Sequence, residues 1–140
     1  MEVLLVDDQA VTVQVYAAIV RKTFSGARVH IALDLREALE IAAHRRFEVV
    51  LLDLMLPTSA GVDTLLRFRK AWPALPVLVD AAAEDKETIR ACLDAGARGY
   101  VPKTSALVAL AGAMQTVVTR GRHVPPEAQR PELKPAANGG

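Results

Sequence analysis

Five times along this chain a short apolar run, rich in Val and Leu, gives way to a stretch with helical periodicity. The runs Glu2–Val6, Arg28–Ala32, Phe47–Asp53, Pro76–Val79 and Arg98–Val101 have strand length, and the third is apolar over four consecutive residues before Asp53. Runs of that kind, apolar on both faces, are expected of strands buried inside a parallel sheet. Between and after them lie stretches of helical spacing. Apolar residues fall at Val11, Val15, Ala18 and Ile19, at Leu35, Ala38, Leu39 and Ala42, and at Val62, Leu65 and Leu66. They recur at Ile89, Cys92 and Leu93, and at Leu107, Leu110, Ala111, Met114 and Val118. Asp34 is placed as an N-cap for a helix over 35–46, Gly96 as the stop of a helix over 84–95, and Trp72-Pro73 closes the helix that begins near Gly61. Strict alternation with short connections predicts an α/β domain: a doubly wound, five-stranded parallel sheet with five helices on its two faces.

A chain of 140 residues has room for one such domain and not for a second. With 51% hydrophobic and 24% charged residues it is not a disordered chain, and its apolar runs are too short and too often interrupted to span a bilayer. The first strand starts at once, without a basic segment or cleavage site, so no export signal is read and the cytoplasm is the expected compartment. Cys92 is the single cysteine, which excludes an internal disulfide or a thiolate cluster and leaves a small core hydrophobe. A formal charge of +1 gives no electrostatic reason for this chain alone to bind nucleic acid. His30, His44 and His123 have no ligand spacing, and Arg45-Arg46 and Arg67-Phe-Arg-Lys70 read as solvated helix ends. The domain is expected over 1–120. Residues 121–140, with four of the eight prolines, are expected as a Pro-rich linker or disordered tail.

Parallel strands all end at one edge of the sheet, where ligands of open α/β sheets bind. Asp7 and Asp8 follow the first strand, Asp53 ends the third and Lys103 follows the fifth, so three carboxylates and one ammonium converge there. Capping of the first helix would explain Asp7 and Asp8 alone, but not the convergence. Crowded carboxylates repel unless a cation neutralises them, and hard oxygen ligands suit Mg²⁺. A carboxylate beside a divalent cation and a lysine is well placed to attack phosphorus and form an acyl phosphate, with Asp53 as the nucleophile.

Asp7-Asp8, the stretch Asp53-Leu-Met-Leu-Pro57 with Gly61, and Ala95-Gly-Ala-Arg-Gly-Tyr-Val-Pro-Lys103 together resemble the receiver domain of bacterial two-component response regulators. The resemblance covers residues 1 to about 120 and implies a flavodoxin-like sheet. Gly99–Ser105 and Val124-Pro-Pro-Glu127 are most similar to receivers that precede a LuxR-type DNA-binding domain. The resemblance implies that Asp53 accepts a phosphoryl group from a sensor histidine kinase in a self-catalysed reaction without enzymatic turnover. Asp8, Asp53 and the carbonyl of Met55 would hold Mg²⁺, with Asp7 acting through water. Lys103 and Ala82 would be the phosphate-binding positions, and Ala81 and Tyr100 the switch. The face of the fourth helix, fifth strand and fifth helix would be the output surface, with DNA reached only through an output domain missing from this chain and no membrane partner. Homodimerisation through that face, or through the first and fifth helices, stays open.

Two residues depart from the family. Where its members carry Ser or Thr at the end of the fourth strand, this chain has Ala81, and loss of one hydrogen bond to a charged acceptor removes about 1.5–3 kcal/mol. Asp80 stands where the family usually has an apolar residue and must reach solvent, a basic partner or the metal site. These departures motivate an alternative, a pseudo-receiver acting as a phosphorylation-independent interaction module. An aspartate-nucleophile phosphohydrolase is disfavoured, because the second acid such enzymes carry two residues after the nucleophile is here Met55.

Overall fold

The computed structural model describes residues 1–119 and 121–129. Five parallel strands, β1 (Glu2–Val6), β2 (Arg28–Ala32), β3 (Val49–Asp53), β4 (Val77–Ala81) and β5 (Gly99–Pro102), form one sheet in the order β2-β1-β3-β4-β5. The order reverses at β1, so the loops leaving β1 and β3 separate above the sheet and open a crevice between them. The helices are α1 (Ala10–Thr23), α2 (Leu35–Ala42), α3 (Val62–Ala71), α4 (Lys86–Asp94) and α5 (Leu107–Val118), followed by a single turn, α6 (Pro126–Gln129).

Strands β1, β3 and β4 are buried nearly throughout, and their alternating side chains divide between two cores. Leu4, Val6, Val50, Leu52, Val77 and Val79 meet α2, α3 and α4 on one face. Val3, Leu5, Val49, Leu51, Leu78 and Val101 meet α1 and α5 on the other. Asp34 caps α2 as expected, accepting the Glu37 amide at 2.7 Å, and Gly96 ends the α4 region at φ 101°, a conformation open to glycine. Cys92 is a buried free thiol in the first core.

The buried stripes of three helices differ from their sequence-based expectation. In α1 the inward residues are Val13, Ala17 and Val20, and Val11 is 79% exposed. In α3 Phe68 and Thr64 join Leu65, leaving Leu66 half-exposed; in α5 the expected Leu110 and Met114 are buried and Val118 packs partly buried, but Ala113 and Val117 join them, with Ala111 half-buried and Leu107 exposed. α1 and α5 are apolar around much of their circumference, so periodicity alone offered two stripes, and the choice fell to the shape of the sheet. Helix α2 stops at Ala42 rather than Arg46, where Ala43, His44 and Arg45 form a turn instead.

The segment expected as linker or disordered tail is packed onto the domain over 121–129. The His123 amide donates to the Arg98 carbonyl at 2.8 Å, which sets His123 beside Gly99 as a one-residue parallel extension of the sheet. A Cβ on Gly99 would meet the His123 Cβ at 2.9 Å, so the approach requires glycine. Ala128 is fully buried in the first core with Val124 against it, and Arg90 of α4 donates to the Ala128 carbonyl at 3.2 Å. A single turn, through Ala128 and the preceding Val124, thus covers the end of the core between α4 and β5, a packing role that its proline content obscured. Residue 120 and the expected linker residues 130–140 lie outside the described residues.

Candidate functional site

Side-chain alternation builds the site. On the α1/α5 face, Leu5 and Leu51 lie in rows of period two that continue to Asp7 and Asp53, and Leu78 and Val101 lie in rows that continue to Asp80 and Lys103. The rows are apolar inside the sheet and turn polar together at its C-terminal edge, in the crevice between β1 and β3 and beside β4 and β5. The register places Asp53 directly beside Asp80 on adjacent strands, and the Lys103 amide extends the ladder by donating to the Ala81 carbonyl at 2.8 Å. The loop after β3 is fixed from below by Thr64, whose buried hydroxyl donates to the Leu54 carbonyl at 2.9 Å.

Carboxylate oxygens of Asp7, Asp8 and Asp53 lie within 4.8 Å of one another. Asp7 and Asp53 are buried, whereas Asp8 is exposed at the rim. Asp53 Oδ1 accepts the Met55 amide at 3.0 Å, and Asp7 Oδ1 accepts the Gln9 amide at 2.8 Å, so each buried carboxylate is held by a backbone donor. Lys103 Nζ lies 2.9 Å from Asp7 Oδ2, 3.2 Å from Asp80 Oδ2 and 3.7 Å from Asp53 Oδ2. Oxygen donors clustered in this way suit a hard divalent cation, and the exposure of Asp8 leaves a side open to water.

The electrostatics follow from burial against that single ammonium. Burial pushes the Asp53 carboxyl above the usual range, partly offset by the Met55 amide and Lys103. Asp80, 2% exposed, is driven further, to about 6, by burial that outweighs its contacts with Lys103 and Tyr16. Burial works against the charged form of Lys103, but Asp80, Asp7 and Asp53 prevail and hold its pKa above that of a free lysine.

With this geometry in place, comparison with known proteins assigns the family. The profile of the response regulator receiver domain matches residues 3–115. The chain belongs to the receiver domain family of two-component response regulators. Among its relatives is the response regulator MprA of Mycolicibacterium vanbaalenii, 36% identical over 114 residues that cover 81% of this chain and 48% of MprA. The receiver thus spans about half the length of that relative. Its structure is similar to a LuxR-family two-component response regulator from Aurantimonas sp., with a TM-score of 0.83, 25% identity and 91% of each chain covered. The Salmonella typhimurium RcsB response regulator, studied for DNA interaction, shares the fold at a TM-score of 0.86 and 18% identity, over 99% of this chain and 74% of that one.

In this receiver, Asp7, Asp8, Asp53 and Lys103 come together at the sheet edge, and Met55 lies beside them with its side chain in solvent. Ala82 is exposed on the β4–α4 loop; Ala81 is buried on the opposite face of β4 from Asp80. Tyr100 is fully buried and points inward, its hydroxyl donating to the Ala83 carbonyl at 2.7 Å. Asp80 has found a basic partner, Lys103, and a second donor that sequence reasoning missed: Tyr16 of α1, whose hydroxyl lies 3.3 Å from Asp80 Oδ1. Counting in twos from Leu78 puts Asp80 on the site's face; nothing in the order of residues points to Tyr16, which arrives from 64 positions away. Among the described residues no helix is long and apolar enough to cross a membrane.

Proposed function

We propose that this receiver is a phosphoacceptor, taking a phosphoryl group from a sensor histidine kinase onto Asp53 and passing the change to an output. The observation that carries the reading is the meeting of Asp7, Asp8 and Asp53 within 4.8 Å, with Lys103 3.7 Å from Asp53 Oδ2. Asp53 attacks phosphorus through a carboxylate oxygen, the bond from phosphorus to the phosphohistidine nitrogen breaks, and the imidazole leaves with the electron pair. Asp8, Asp53 and the Met55 carbonyl would hold Mg²⁺, with Asp7 acting through water; when bound, the ion neutralises charge on the transferring oxygens. Lys103 turns its ammonium to a phosphoryl oxygen and Ala82 lies beside another. The position of Ala81 and the ring of Tyr100 form the switch, altered here because Ala81 has no hydroxyl to draw the loop inward. Similarity to a LuxR-family regulator supports a LuxR-type DNA-binding output domain in the whole protein.

The test is intact mass after incubation with Mg²⁺ and acetyl phosphate, wild type beside Asp53→Asn. Gain of one phosphoryl group by wild type alone is expected. No gain by wild type, together with no beryllofluoride binding, would leave the pseudo-receiver as the better reading.

A further inference from the structure

Lys103 is shared among three carboxylates, and only one of them belongs to the nucleophile. Its Nζ is nearer to Asp80 Oδ2, at 3.2 Å, than to Asp53 Oδ2, at 3.7 Å. Asp80 is itself held: it is 2% exposed, sits in register with Asp53 on the neighbouring strand, and receives the Tyr16 hydroxyl on its other oxygen. The Tyr16 ring also covers the ammonium, with Nζ 5.6 Å from the ring centroid, within the range of a cation–π contact. Together α1 and β4 supply an internal anion and an aromatic wall for the lysine that a phosphoryl group on Asp53 would recruit.

We propose that Asp80 and Tyr16 form a latch that holds Lys103 in the unphosphorylated receiver, so that a phosphoryl group on Asp53 must compete with the Asp80 carboxylate for the same ammonium. The inference rests on Asp53 being the phosphoacceptor. Two physical effects point the same way. A charge-assisted hydrogen bond from Lys103 to Asp80 must be given up or shared when a phosphoryl oxygen arrives. A buried carboxylate on the strand adjacent to Asp53 also repels the added negative charge, with little water between them to screen it. Asp80 is therefore a positioning residue that acts through Lys103. The latch biases the domain toward its unphosphorylated form, opposite to the effect of a hydrogen-bond donor aimed at the phosphoryl group.

The opposed direction makes the test decisive. Asp80→Leu removes the carboxylate that Lys103 and Tyr16 contact, and Tyr16→Phe removes only the hydroxyl. Beryllofluoride affinity in the presence of Mg²⁺ is expected to rise roughly tenfold in Asp80→Leu and by a smaller factor in Tyr16→Phe. The position of the lysine is read separately from the ¹⁵N-bound ammonium signal of Lys103 at low temperature, assigned with Lys103→Arg. That signal is expected in wild type and shifted or lost in Asp80→Leu, whether or not any phosphoryl analogue binds. Unchanged or weakened beryllofluoride binding in a folded Asp80→Leu protein overturns the latch, as does an ammonium signal indifferent to the substitution. If wild type and both variants bind no beryllofluoride while the ammonium signal responds to Asp80→Leu, the phosphoacceptor reading fails and the competition fails with it. The lysine contact alone would then stand.

Discussion

Asp80 shows how burial acts on one of the three buried carboxyls at the sheet edge. Tyr16 and Lys103 both contact its oxygens, yet burial dominates and holds its pKa near 6 against an ordinary value of 3.8. A carboxyl whose pKa is raised on folding binds its proton more tightly in the folded state. Its contribution to stability is therefore greatest in acid and is lost as pH rises from about 4 to about 6. Asp80→Leu lacks this titration, while Asp53, shifted in the same direction, is present in both proteins and largely cancels. Denaturant titrations of the two proteins should show the variant gaining on wild type by up to about 3 kcal/mol between pH 4 and pH 7. A constant difference across that range would mean that Asp80 does not titrate there. Tyr100 is a quieter case: buried and bonded to the Ala83 carbonyl, it lies inward without any hydroxyl at Ala81 to draw it there.

At the scale of elements, the contact between 121–129 and the β5–α4 side ties the end of the domain to the surface where this family's output is expected. The contact depends on backbone approach at Gly99, since a side chain there would collide with His123 and with Leu78. Gly99→Val should release the His123 amide from the Arg98 carbonyl and expose Ala128. Overpacking of this kind costs about 1–3 kcal/mol. Hydrogen exchange should report it as faster exchange at His123 and Ala128, with α1 and β1 unaffected; unchanged protection at His123 would show that the segment is held by α4 alone. Exposed Val11 on α1 and Leu107 and Val108 on α5 belong to the same scale. They show two helices whose apolar circumference exceeds what the sheet covers.

For the whole molecule, the site gathers negative charge from β1, β3 and β4 against one lysine, and a divalent cation should therefore stabilise the folded chain. At a hundredfold excess over its dissociation constant a ligand specific for the folded state adds about 2.7 kcal/mol. Thermal unfolding should rise by several degrees in Mg²⁺, and Asp8→Ala should abolish most of the increment, because Asp8 is exposed and its loss leaves no cavity. Equal increments in both proteins would remove Asp8 from the proposed metal site. The order of strands and helices, the parallel sheet and the polar edge were legible in the sequence. Strand runs, caps and the period of two are local properties, written in neighbouring residues. Asp7, Asp53 and Lys103 could be placed at one edge because every parallel strand ends there. Which stripe of α1 turned inward could not be read, nor that Ala113 and Val117 would join Leu110 and Met114 on α5, since both helices are apolar on more than one side. Nor could the docking of 121–129, whose proline-rich composition hides one small buried alanine, Ala128. The partner of Asp80 was decided only when α1 brought Tyr16 across the sheet and β5 brought Lys103 beside it. A buried charge takes the donors that packing delivers, and delivery across 64 residues is a property of the fold.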